Sequence, residues 1–231
     1  MIYIDNSATT KQYPQVTETM MKYMEEYFGN PSSMYQLGLD SEKAVKHARK
    51  QVEEAMGAGN GTLIFTSGGT EADNTAIFGA ARALRRRGNR IITSAVEHPA
   101  VLECCKRLEQ DGYDVVYVGV DDKCRLDLER LEDAIDENTI LVSLMQVNNE
   151  AGTIMPVDAV KDLMKKKNAP GWFHCDAVQS FGKLQVPESA DLISVSSHKI
   201  HGPKGAGALF VRKGIHLTAL IEGGGQESGH R

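Results

Sequence analysis

Cysteine is scarce in this chain, with four among 231 residues, and none falls at the two-residue spacing that a zinc site uses. Cys104 and Cys105 are adjacent, and His174-Cys175 has no matching pair elsewhere, so no metal centre is expected. The irregular spacing also argues against a disulfide framework. No signal-peptide pattern and no apolar run long enough to cross a bilayer is present, which points to a reducing, cytoplasmic compartment. A surplus of positive charge is missing too. Lys and Arg number 26 against 31 Asp and Glu, a formal net charge of −5, which gives no electrostatic case for nucleic acid or a membrane surface. Neither a Walker A loop nor a dinucleotide fingerprint occurs, and no internal repeat or low-complexity segment interrupts the chain.

The chain does have 41% hydrophobic residues, enough to bury a full core, in an order that alternates between strand-like and helix-like runs. Strands are expected near 63–66, 90–94, 114–118, 139–145, 171–175, 191–195 and 206–211. Helices are expected near 70–87, 98–111, 127–135 and 157–167, preceded by two more near 14–28 and 39–56. The basic runs Arg85-Arg86-Arg87 and Lys165-Lys166-Lys167 close helix-like segments, where they complement helix C-termini. Such alternation predicts an α/β fold, a mostly parallel sheet covered by helices on both faces, with a hairpin-like run at 205–211 adding an antiparallel strand. Ligands in such sheets bind outside the carboxyl ends of the strands.

Reactive residue types gather at those ends. Lys199 closes the apolar run Leu192, Ile193, Val195 and precedes a Gly/Pro-rich turn, a placement in which its amine can meet an aldehyde. Asp176 closes Trp172-Phe173-His174, twenty-three residues earlier, the distance an α/β connection back into one sheet needs. A carboxylate there can keep a pyridinium nitrogen protonated, which makes the ring an electron acceptor. After Leu63-Ile64-Phe65, the turn Ser67-Gly68-Gly69-Thr70 opens a helix, a layout suited to an anion because glycine backbone and free N–H groups meet there. His98 lies at a strand-to-helix corner, and Asn149 lies in the polar tip after Ile140–Met145. Each feature alone has an ordinary explanation: most lysines are solvated, most Asp residues after strands are caps, and Thr70 can be a plain N-cap. Their convergence is what points to a pyridoxal phosphate site.

Taken together, Ile4-Asp5-Asn6-Ser7-Ala8-Thr9-Thr10, Thr66-Ser67-Gly68-Gly69-Thr70-Glu71, Glu97-His98, Val147-Asn148-Asn149-Glu150, Asp176-Ala177-Val178-Gln179, Ser197-His198-Lys199 and Gly223-Gly224-Gly225-Gln226-Glu227 resemble the cysteine desulfurases of the class V aminotransferase family, in family order over essentially the whole chain. The resemblance implies the large domain of a fold type I pyridoxal-5′-phosphate enzyme, a three-layer α/β/α arrangement around a mixed sheet. It implies that Lys199 carries the cofactor as a Schiff base and later takes the α-proton, that Asp176 pairs with the pyridine nitrogen, and that His98 stacks on the ring. Gln179 and Asn149 would bond the phenolic oxygen or the substrate, and Gly69, Thr70, Ser196 and His198 would hold the phosphate.

The activity implied is removal of sulfur from L-cysteine, giving alanine and a persulfide for iron–sulfur cluster or thiolated-tRNA assembly, with a sulfur-acceptor protein as partner. The alternatives are a related selenocysteine lyase or aminotransferase acting on another small amino acid, or a catalytically silent domain. Residues 1–57 would form an N-terminal segment against the small domain and the dimer partner, and 58–231 the cofactor-binding domain. The family's small C-terminal domain, with its nucleophilic cysteine and substrate-clamping arginine, is expected beyond Arg231. Apolar surface is then expected to stay uncovered on the N-terminal segment, favouring a homodimer or looser conformations. Cys104 and Cys105 are expected as half-buried fillers, Cys124 in an exposed turn, and Cys175 on the strand face opposite Asp176.

Overall fold

A computed structural model describes residues 2–227 and 229. Seven short runs form one sheet: β1 (Gly61–Thr66), β2 (Arg90–Ser94), β3 (Asp114–Val118), β4 (Thr139–Met145), β5 (Trp172–Asp176), β6 (Leu192–Ser196) and β7 (Gly207–Arg212), in the spatial order β1-β7-β6-β5-β4-β2-β3. The five strands β3, β2, β4, β5 and β6 run parallel. β7 is antiparallel both to β6 and to β1, so β1 points the same way as those five. Six strand ends therefore open onto one edge of the sheet. β4 and β6 are buried at every position, as their mostly apolar character, broken only by small hydroxyl residues, suits central strands covered on both faces.

Successive strand residues face opposite layers, which explains how the same runs feed two cores. Ile64, Ile91, Leu141, Leu192 and Leu209 face α3 (Gly69–Leu84) and α4 (Pro99–Gln110), where they meet Ala72, Ala76, Ala80, Val101 and Leu108. The small side chains four residues apart on α3 let that helix lie close against the sheet. Leu63, Ile92, Val142, Phe173, Ile193 and Phe210 face the other way, toward Met56 of α2 (Gln36–Met56), Leu131 of α5 (Leu128–Ala134) and Met164 of α6 (Val160–Lys166). The three-layer α/β/α expectation describes this arrangement. Phe173 has no exposed surface, and truncating it to Ala would cost about 3–5 kcal/mol in transfer and cavity terms.

The N-terminal helices differ most from the sequence expectation. α1 (Pro14–Glu25) stops three residues early, where Glu26 and Tyr27 both donate their N–H to Lys22 O, and α2 begins at Gln36, straight after extended Tyr35. α2 ends at Gly57, whose φ of 63° is the left-handed conformation a helix C-terminus favours and a glycine adopts without strain. α1 buries none of its residues, and Met21, Met24 and Phe28 are more than half exposed, so the expected uncovered apolar surface is there. Residues 7–13 cross the carboxyl edge of the sheet, with Thr10 N–H donated to His198 O at 2.8 Å and the Tyr13 ring stacked on His201 at 4.3 Å.

The outer edge of β1 is closed by side chains rather than by another strand. Leu63 N–H donates to Glu53 at 3.1 Å and Phe65 N–H to Glu227 at 3.1 Å. Arg49 grips both Glu227 oxygens, at 2.8 and 3.1 Å, and lies over the Phe65 ring. Among the described residues no helix is long and apolar enough to cross a membrane.

Candidate active site

At the edge where the six strand ends open lies a cavity of about 290 Å³. Lys199 reaches it from the short 3-10 turn that follows β6, and Asp176 is the last residue of β5. His98 lines it from the start of α4, Asn149 from the turn after β4, and Gln179 from the turn after β5. Gly69 and Thr70 at the start of α3, Ser196 at the end of β6 and His198 complete the nine residues singled out in the sequence. A single concavity brings all nine together.

Asp176 is 6% exposed, and its Oδ1 accepts the Val178 N–H at 2.9 Å, which leaves Oδ2 for a ligand. Burial raises its carboxyl above the ordinary range, while the Val178 N–H, His98 and Lys199 pull it back down. A cationic ring nitrogen in the cavity would pull in the same direction. The Lys199 ammonium donates to the carbonyls of Ser7 and, at 3.0 Å, Ala8. Burial and the neighbouring Lys183 lower its pKa, against the opposing pull of Asp176 and Asp5, which favours the free amine that carbonyl chemistry needs. His98 is the N-cap of α4, and its Nδ1 accepts the Ala100 N–H at 3.1 Å. That contact assigns the ring proton to Nε2.

One end of the cavity is built from backbone. Gly68 sits at φ 156° as the N-cap of α3, a conformation that side-chain-bearing residues rarely adopt, and it frees the first N–H groups of a sixteen-residue helix. A Cβ at Gly69 would come within 2.8 Å of Val178, so the helix start fits against the β5 turn only without a side chain. Ser196, His198, Thr70 and Lys204 line an adjoining cleft here. Burial, Lys199 and Lys204 lower the pKa of His198, a sign of a positive field. His198 Nδ1 lies 3.1 Å from Thr9 Oγ1.

Three buried polar residues beneath the cavity escaped the sequence reading. Asp73 lines it from the second turn of α3, 1% exposed, and one of its oxygens has no hydrogen-bond partner among the described residues. Burial and the Asp176 charge push its carboxyl well above the ordinary range. His174 bridges Ser143 Oγ at 2.8 Å and Ser194 Oγ at 2.9 Å, and complete burial pushes it down to about 3, so the ring is neutral. Glu97 joins the ends of β2 and β4. The signal for His174 was available: two residues before Asp176 in a strand, it shares that residue's face. Asp73 had no such marker, and Glu97 was marked only as the neighbour of His98 in the Glu97-His98 motif, without a role of its own.

The cysteines are structural. Cys104 and Cys105 are 3% and 0% exposed rather than half-buried, and burial pushes both thiols up to about 12. Cys175 is buried on the face opposite Asp176, and Cys124 is half-buried in its turn at φ 60°. None lines the cavity.

Strand-tip lysine and carboxylate, a helix-start anion pocket and a mixed seven-stranded sheet together define the large domain of a fold type I pyridoxal phosphate protein. The model of the aminotransferase class-V family matches residues 2–228, and the chain belongs to that family. Similar curated proteins are a cysteine desulfurase of Trichormus azollae, 47% identical over all of this chain and 58% of its own length, and cysteine desulfurase IscS of Methanosarcina thermophila, 46% identical over all of this chain and 57% of its own. Among solved structures, a NifS-like protein superposes with a TM-score of 0.94 at 42% identity, covering all of this chain and 64% of that one. SspA in complex with cysteine superposes at 0.92 with 36% identity, covering all of this chain and 67% of that one. The chain thus spans somewhat less than three fifths of the length of these curated relatives.

Members of this family are pyridoxal phosphate enzymes, and the residues round the cavity fit that group. Asp176 has an oxygen to spare, the glycine turn leaves an open cradle, and Lys199 reaches the cavity from the turn that follows β6.

Proposed function

We propose that this chain is the cofactor-holding part of a cysteine desulfurase, which removes sulfur from L-cysteine to leave alanine and passes the sulfur on as a persulfide. The observation that carries the reading is the convergence of Lys199, Asp176 and His98 on one cavity in a chain this similar to named cysteine desulfurases. A related structure described in complex with cysteine supports the substrate.

Pyridoxal phosphate supplies an aldehyde that condenses with amines and a ring that accepts the electron pair left at the substrate α-carbon. Lys199 would hold the cofactor through its amine, and as a free amine it would be the group that takes the substrate α-proton. Asp176 holds a proton at the ring nitrogen. His98, which lines the cavity with Nδ1 held by the Ala100 N–H, would lie against the ring and could give or take a proton at Nε2. Gly69, Thr70, Ser196 and His198 hold the phosphate, and Gln179 and Asn149 orient the phenolic oxygen or the substrate carboxylate. The sulfur-accepting thiolate is none of Cys104, Cys105 or Cys175, because burial keeps all three protonated and out of reach.

The exposed apolar residues of α1 and of the segment before it support a homodimer, and the sulfur would go to an acceptor protein serving iron–sulfur cluster or thiolated-tRNA assembly in the cytoplasm. The test loads the chain with pyridoxal phosphate, adds the amino acid, and only then reduces with borohydride, so that the extent of Lys199 trapping is the readout. L-cysteine should free Lys199 from the trap and L-glutamate should not. Full trapping in the presence of L-cysteine would sink the reading, and release by L-glutamate would place the chain with the aminotransferases instead.

A further inference from the structure

We propose that Glu97 is a positioning residue for this site, its buried carboxyl tying the tip of β2 to the tip of β4 and so fixing His98 at the cavity. The β2–β4 ladder runs in register from Ile91 and Leu141 to Thr93 and Ser143. Two residues on, the Met145 N–H points to where β2 would continue, but β2 ends at Ser94 and the chain turns away into α4. The Glu97 side chain stands in for the missing strand: its Oε2 accepts the Met145 N–H at 2.9 Å. Its Oε1 and Ser94 Oγ share a hydrogen bond of 2.5 Å, and Ser94 Oγ in turn accepts the Val96 N–H at 3.3 Å.

The turn is thereby fixed from both sides, since Asn148 donates to Val96 O at 3.0 Å. His98 follows directly, with its Nδ1 engaged by Ala100 N–H, and both His98 and Met145 line the cavity. Met145 also pairs in register with Asp176. A side chain only 5% exposed thus links β4, the strand beside the one that carries Asp176, to the corner carrying the imidazole. Both oxygens of this buried carboxyl are hydrogen-bonded, which offsets the cost of taking it out of water. The titratable groups around it are Asp176 and Cys175 on β5, Asp73 on α3 and Cys105 on α4, and burial together with the Asp176 charge pushes Glu97 up to about 8. Neutral Glu97 has one hydrogen to give and one carbonyl oxygen to accept with, and the amide of glutamine supplies both, with one hydrogen more.

That equivalence sets the test. Protein labelled with ¹⁵N-histidine is prepared as wild type, Glu97→Gln and Glu97→Ala, with His98→Gln to assign the ring signals, and the tautomer of His98 is read without pyridoxal phosphate. Wild type and Glu97→Gln should both show the proton on Nε2 alone, whereas Glu97→Ala should show a tautomer mixture. In a parallel titration the Kd for pyridoxal phosphate should rise about tenfold in Glu97→Ala and return to near wild type in Glu97→Gln. The histidine spectra stand independently of the proposed function, and only the cofactor titration rests on it. A folded Glu97→Ala with the His98 tautomer of wild type would overturn the proposal, as would a Glu97→Gln as impaired as Glu97→Ala. Should Glu97→Ala fail to fold, Ser94→Ala decides: a partial shift of the same signals supports the proposal, and wild-type spectra overturn it.

Discussion

Two buried groups under the cavity make opposite demands on pH, and the stability of the chain should expose both. His174, ordinarily titrating near 6.5, is pushed down to about 3 by complete burial. As pH falls through 6.5 the unfolded chain takes up a proton there that the folded chain refuses, so stability drops by ~1.4 kcal/mol per unit, or ~2.7 kcal/mol between pH 6.5 and 4.5. Glu97, ordinarily near 4.5, is raised to about 8. Its folded state keeps a proton that the unfolded state has lost, so its contribution is complete below 4.5 and is lost as pH rises through 8, again at ~1.4 kcal/mol per unit. Between pH 4.5 and 6.5 the two slopes nearly cancel in the wild type. Each is unmasked by a variant that removes the titration while keeping an amide in place. Urea unfolding of His174→Gln should show stability rising by ~2.7 kcal/mol from pH 6.5 to 4.5, and Glu97→Gln should show it falling by a similar amount. Groups distant from both residues contribute equally to the two variants and drop out of the difference, and the opposite signs of the two slopes are the readout. Parallel profiles for the two variants would refute the reasoning.

The Arg49–Glu227 pair that closes the β1 edge is partly buried, with side-chain exposures of 20% and 12%, and Glu227 also holds the Phe65 N–H. Replacing Glu227 by Ala should destabilise the chain by ~2–3 kcal/mol and speed hydrogen exchange at the Phe65 amide, whereas unchanged exchange would show the edge to be protected otherwise. Alkylation of the native chain with iodoacetamide at pH 8 should modify Cys124 alone, because burial holds Cys104 and Cys105 up at about 12; peptide mapping that finds label at either would contradict their placement.

Strands and the helices that cover the sheet were legible because apolar runs such as Ile140–Met145 and polar turns such as Ser67–Gly69 are local signals. Placing β7 between β6 and β1 was not, because that pairing joins residues far apart in the sequence: Phe65 lies opposite Ala208. α1 was over-extended because Glu26, Tyr27 and Phe28 continue a helix-like pattern that buries nothing and so gains no tertiary support. At the site, residues at strand tips could be read from their position. Asp73 and Glu97 could not, since a polar residue in a helix or a turn is ordinarily solvated, and only the fold shows both buried beneath the cavity with Asp176.

The central claim is that Lys199 is placed to carry pyridoxal phosphate. The direct measurement is to add pyridoxal phosphate to the purified chain, reduce with borohydride and locate the modified residue by peptide mass mapping. The account predicts a visible absorbance band before reduction and a single pyridoxyl modification at Lys199, absent from Lys199→Ala. A modification retained in Lys199→Ala, or one found at Lys183 or Lys204 instead, would contradict it.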